Sequence, residues 1–163
     1  MGKSAAGPVD PSPTVTEALH TVIDRPFEDA ILEVQLEHEL AGFETVAVTR
    51  LDQLVKGVLD EEITKVALLI VCQAEIAHDA VKIDPTLAGL LPCTTVVYED
   101  VDGLVHVHHT SATKAIRDLG CAGDDPERMQ EIEDLVEKTG QLMTEVWTHV
   151  ERIGGSGTPQ SGE

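Results

Sequence analysis

Val66-Ala67-Leu68-Leu69-Ile70-Val71 is an unbroken aliphatic run that ends at Cys72. A run of this length without polar alternation has the form of a strand buried on both faces, as a central strand of a sheet is. The chain must therefore build a sheet around this segment and lay helices on it. The covering elements are legible on either side. Thr16–Ile23 alternates as a strand, and Pro26 then stands where a first-turn proline is tolerated. Phe27, Ala30, Ile31 and Val34 follow at helical spacing, Gly42 is placed to close that helix, and Phe43–Thr49 alternates into a second strand. A short helix is expected over Leu51–Leu59.

Beyond the central run, residues 74–83 have a helical period that Asp84-Pro85 ends, because the residue before proline is driven out of the α region. Two further strands flank Asp102-Gly103. Asp124-Asp125-Pro126-Glu127 reads as a capped start for a last helix, whose apolar face is Met129, Ile132, Val136, Met143, Val146, Trp147 and Val150, running down to Ile153. Gly140 is expected to weaken or kink it. The order β-α-β-(α)-β-α-β-β-α predicts an α+β fold, a two-layer sandwich with a mixed sheet. A doubly wound parallel sheet is the alternative, and the closing hairpin argues against it. One domain is expected over 16–153, between Pro- and Gly-rich tails at 1–15 and 154–163.

Thirty acidic residues against eleven basic ones give a formal charge of -19, in a chain that is 42% hydrophobic. That apolar content rules out the low-hydropathy, high-charge signature of disorder, so the acids coat a folded surface. A surface without a basic cluster excludes nucleic acid and anionic membrane as partners, since both require Lys and Arg to neutralise phosphate. No apolar run is long enough for a bilayer and no leader precedes the domain, so a cytoplasmic protein is expected. Cys72, Cys93 and Cys121 are an odd number outside a secretory context and read as thiols rather than a disulfide framework.

The residues with chemistry concentrate at 89–109, where Cys93 opens one strand and His106-Val107-His108-His109 forms the next. A two-residue turn at Asp102-Gly103 pairs Glu99 with His106 and Val97 with His108. Alternation then puts Cys93, Thr95, Val97, Glu99, His106 and His108 on one face. Thr94, Val96, Tyr98, Val105, Val107 and His109 fall on the other, against the helices. A three-residue loop instead puts the two histidines with Tyr98 and Val96. On the first register His106, His108 and Glu99 lie ~5–7 Å apart and are the candidate ligands of a transition metal, with a two-fold dimer completing the set. One of the histidines as an axial haem ligand is a second possibility, and solvated strand histidines a third.

The segment 72–99 resembles the domain-of-unknown-function 302 (DUF302) family. The resemblance is carried by Cys72, Ala77, Ala80, Asp84, Pro85, Gly89-Leu90-Leu91-Pro92-Cys93 and Val96-Val97-Tyr98-Glu99. Gly42-Phe43 fits the family's first helix-to-strand turn, and the similarity extends over 16–152. Gln73 and Ala74 stand where the family usually has Asn-Pro, and Thr94 where Asn commonly follows the Pro-Cys. The resemblance implies a small two-layer α/β domain, commonly dimeric, with no established reaction. Cys72 and Cys93 match family positions at strand ends, so a reversible disulfide or a persulfide carrier is the alternative to a ligand-binding homodimer. His78 on the intervening helix would then lower a thiol pKa. Cys93, His78 and Cys72 are accordingly the candidate lining of a ligand pocket. His38, His149, Cys121 and Ser111 read as packing or solvated residues, and no complete catalytic motif is present.

A surface this acidic repels itself at low salt and is relieved by screening, which points to a salt-adapted protein. Unfolding midpoints measured with and without molar KCl are expected to be higher with the salt; equal midpoints would remove the idea.

Overall fold

The structure, a computed structural model, describes residues 19–154. The expected tail at 1–15, the start of the first strand at 16–18 and the tail beyond Gly154 lie outside the described residues. The chain runs β1 (Leu19–Ile23), α1 (Phe27–Leu40), β2 (Glu44–Arg50), α2 (Leu51–Leu59), β3 (Val66–Cys72) and α3 (Ala74–Ile83). A 3-10 turn at Pro85–Leu90 leads to β4 (Cys93–Glu99), β5 (Val105–Thr110), α4 (Ala112–Asp118) and α5 (Pro126–Gly154). The strands form one sheet in the order β1-β5-β4-β3-β2.

Every neighbouring pair is antiparallel, so the mixed sheet expected from the element order gives way to a uniform one within the same α+β class. The reason lies in the connections: α2 and α3 each return the chain to the strand beside the one it left, whereas α1 carries it from one edge of the sheet to the other. That crossing lays α1 over one sheet face. Phe27, Ala30, Ile31 and Val34 of α1 pack with Leu69, Val71, Val97 and Val107 of the sheet and with Met143, Val146, Trp147 and Val150 of α5.

The other half of α5 makes a second core. Ile132, Leu135 and Val136 meet Ile76 and Ala80 of α3, Leu87 of the 3-10 turn and Ile116 of α4. α5 thus spans both cores, and it runs through Gly140 without a break. Packing on both sides of the glycine offsets its ~1 kcal/mol helix penalty and keeps the helix continuous. The opposite sheet face is left uncovered, and β3 alternates between fully buried Ala67, Leu69 and Val71 and half-buried Val66, Leu68 and Ile70. The central run is therefore covered by helices on one side only.

α1 ends where the sequence places its stop. Gly42 takes a left-handed conformation (φ 86°), Phe43 N–H donates to the His38 carbonyl at 3.0 Å and Gly42 N–H to that of Glu39 at 3.0 Å. This is the Schellman arrangement, and it locks the last turn of α1 to the start of β2. Among the described residues no helix is long and apolar enough to cross a membrane.

A Cβ added at Gly140 meets no atom within 4 Å. Gly140→Ala is expected to raise stability by about 0.5–1 kcal/mol, read from the urea midpoint at unchanged m-value. A lower midpoint would show that the glycine serves a contact.

Candidate functional site

The β4–β5 hairpin closes through one carboxylate. Asp100 N–H donates to the Leu104 carbonyl at 2.9 Å, which leaves Val101, Asp102 and Gly103 as a three-residue loop with Gly103 left-handed (φ 80°). The Asp100 side chain accepts the N–H groups of Asp102 and Leu104, each at 2.9 Å, and lies 2.8 Å from His106 Nε2. A type I turn followed by a left-handed glycine is the common three-residue hairpin, and the carboxylate satisfies donors that a two-residue turn would not present. The His106 hydrogen bond is the main cause holding the Asp100 carboxyl below its usual range.

The register moves by one residue from the two-residue expectation. Tyr98 pairs with His106, Val96 with His108 and Thr95 with His109. A one-residue slip exchanges the faces of β4 relative to β5. His106 and His108 stay on the uncovered face but share it with Tyr98 and Val96, while Cys93, Thr95 and Val97 turn to the core beside Val107 and His109.

The metal set of His106, His108 and Glu99 is not assembled. Glu99 belongs to the other face and pairs with Lys65 at 3.3 Å. Both ring nitrogens of His106 are engaged, Nε2 with Asp100 and Nδ1 with His20 Nε2 at 2.9 Å, and Tyr98 stacks on its ring at 4.7 Å. Among the described residues no three His, Cys, Asp or Glu side chains are grouped to hold a metal ion. His108 is half-buried, and burial lowers its pKa and that of neighbouring His20.

Cys72 and Cys93 do come near one another. Both line a narrow crevice with Phe43, Val71, Ile76 and Leu91, whose free volume of about 10 Å³ has room for no more than a water molecule. Both are free thiols, and burial pushes each pKa up. His78 does not line the crevice: it is exposed and 3.0 Å from Asp79. The electropositive setting that a reactive thiolate needs is not built at Cys93.

A different cluster occupies the core. His38, Thr95 and His109 are buried at 0%, 0% and 2% exposure. His38 Nδ1 donates to the Val34 carbonyl at 2.8 Å, Thr95 Oγ1 lies 3.0 Å from His38 Nε2, and His109 Nδ1 lies 2.8 Å from Thr95 Oγ1. The ring of Phe43 meets His38 edge-on at 5.8 Å, the hydrophobic contact that accompanies the Schellman end of α1. Burial lowers the pKa of both histidines, that of His109 to about 3, so both rings are neutral.

His109 Nε2 is buried and has no hydrogen-bond partner among the described residues. An unmet buried acceptor costs about 1–3 kcal/mol, which makes it a place to look for a ligand. His109 lines a cleft of about 350 Å³ between Leu19 of β1, Ser111 and Lys114 at the start of α4, and the middle of α5 at Thr139, Gly140, Met143 and Thr144. That volume is at the lower end of small-molecule sites. From the sequence His38 reads as a packing or solvated residue, and His109 falls on the helix-facing side without a role. The spacing Phe27, Ile31, Val34, His38 does mark His38 as part of the α1 stripe, but nothing in the sequence pairs it with Thr95. The cleft joins residues from 19 to 144, and no local pattern foretells it.

The sequence profile described as "Domain of unknown function DUF302" matches residues 19–147. A crystal structure of an uncharacterised conserved DUF302 protein from Bacillus stearothermophilus superposes with a TM-score of 0.66 at 14% identity, covering 85% of this chain and 99% of that one. At that identity the likeness shows the fold. No curated protein sequence matches the chain.

The neutral histidines set a pH dependence. Below an unfolded pKa of about 6.5 the unfolded chain binds protons that folded His38 and His109 exclude, down to about 3 for His109. Their contribution is whole above that value and is lost as pH falls, at a slope approaching about 1.4 kcal/mol per pH unit for each ring. His109→Phe is expected to make the fall in stability between about pH 6 and 4 shallower by one proton's worth in urea titrations. An unchanged slope would mean that His109 is protonated in the fold.

Proposed function

This chain belongs to the DUF302 family, and from that premise we propose that it is a non-enzymatic domain that binds a small, largely apolar molecule in the cleft over His109. The observation that carries the reading is the buried, unpartnered Nε2 of His109, a residue that lines an open cleft, in a core whose other buried side-chain polar atoms are paired among the described residues. Leu19 and Met143 supply apolar lining, and Ser111, Thr139 and Thr144 already have hydroxyl partners within the protein. A site of few polar groups and one open hydrogen-bond position suits a compact ligand held mainly by desolvation. The hydroxyls that line it have Thr113 Oγ1 or backbone carbonyls as partners among the described residues, which supports binding over reaction. The thiol alternative at Cys93 and Cys72 has weaker support, given the closed crevice and the raised pKa of both groups.

The homodimer belongs to the same reading. α2 is amphipathic, yet none of its residues is buried, and Leu54, Val58 and Leu59 are exposed. A nine-residue helix is not stable without a covering surface, and a second copy provides an apolar one that avoids the acidic remainder. Light scattering is expected to give a dimer that Leu54→Glu with Val58→Glu converts to a monomer. A wild-type monomer at high concentration would remove this part.

The binding site is tested by titrating indole into labelled protein and following amide shifts. Perturbations are expected at Leu19, His109, Ser111, Thr139 and Met143, and are expected to vanish in Gly140→Leu, whose side chain enters the open space beside α5. Shifts centred on Cys93, or none at millimolar indole, would overturn the reading.

A further inference from the structure

The buried chain from Val34 to His109 has only one direction in which its hydrogens can be arranged. The Val34 carbonyl can only accept, so His38 carries its proton on Nδ1. Because burial keeps that ring neutral, its Nε2 is a lone pair, and the single hydrogen of the Thr95 hydroxyl must point to it. Thr95 Oγ1 then has no hydrogen left for His109 and must accept one, which puts the His109 proton on Nδ1. The reverse arrangement would set two acceptors, His38 Nδ1 and the Val34 carbonyl, against each other at 2.8 Å. His109 Nε2 is consequently a lone pair, fixed as such by a carbonyl on a helix two side chains away.

We propose that the cleft selects ligands that carry an N–H or O–H donor over isosteric molecules without one, because the Val34–His38–Thr95–His109 chain leaves His109 Nε2 only as an acceptor. This rests on the small-ligand reading above and adds the class of ligand to it. The cleft's own hydroxyls do not supply the missing donor: Thr139 Oγ1 donates to the Leu135 carbonyl and Thr144 Oγ1 to that of Gly140, each at 2.8 Å. Ser111 Oγ is shared between Thr113 Oγ1 and the Lys114 N–H. A metal ion would also accept the lone pair, but among the described residues no group of three ligands accompanies it. Thr95 and His38 are positioning residues here: they touch no ligand and act by choosing the tautomer of His109.

The test uses phenol and toluene, which have nearly the same shape and differ in one donor. Affinities are measured by NMR titration on the wild type and on His109→Phe. The phenol-to-toluene affinity ratio is expected to fall about tenfold in the variant, the worth of one net hydrogen bond. A ratio that does not change would overturn the donor rule while leaving the cleft as a binding site. Failure of both phenol and toluene to bind would overturn the small-ligand reading itself. Independently of any ligand, nitrogen-15 shifts of His109 in the wild type are expected to show a protonated, pyrrole-type Nδ1 and an unprotonated Nε2 at neutral pH. The opposite pattern would overturn the inference even if phenol bound.

Discussion

Asp100 decides what the rest of the hairpin can be. Its carboxylate takes two loop N–H groups and the ring of His106, which stabilises a three-residue loop and so sets the parity of everything that follows on β5. Because side chains alternate with a period of two, this local choice sets Thr95 and Val97, rather than Val96 and Tyr98, on the core face with His109. The inward imidazole thereby meets a hydroxyl across the strand pair instead of a valine. Once inside, that imidazole needs partners, and Thr95 across the strand pair and His38 at the end of α1 provide them.

The architecture was legible wherever one residue type has one physical reading. The aliphatic run at Val66–Val71, the helical recurrence of Phe27, Ile31 and Val34, and the stop at Gly42 all act within a few residues, and the structure follows them. The hairpin's location was legible for the same reason, through Asp102-Gly103. Its parity was not, because a two- and a three-residue loop leave almost the same signature, and the difference depends on the side chain of Asp100 folding back on the loop. His106 and His108 moved from candidate ligands to an open-face stack through that single residue, and Glu99 was left on the other side. The relay was invisible for a different reason: Val34, Thr95 and His109 are far apart in sequence, and a buried histidine on a helix stripe looks like any packing residue until its partners are known.

Placing three polar side chains in a core of this size has an energetic logic. Their mutual hydrogen bonds offset the loss of water, so they are tolerated where a lone histidine would not be. The residual imbalance is concentrated on one atom, the buried Nε2 of His109, a residue that lines the cleft. The apolar clusters around the sheet and around α3 and α4 share α5, whose middle lines the same cleft. Precision at the site is thus supplied by helices and strands rather than by loops.

The path of α1 across the sheet face also orders events in time. β1 is made first, yet its only partner is β5, so His20 waits for His106 and Leu19 for His109. During synthesis on a ribosome β2, β3 and β4 can pair with one another as they emerge, while the amino-terminal strand remains an unpaired edge until the chain has passed Thr110. Closure of the sheet is in this sense a check that the hairpin has formed, and the cleft beside Leu19, together with the relay ending at His109, comes into being only when that late pairing is made.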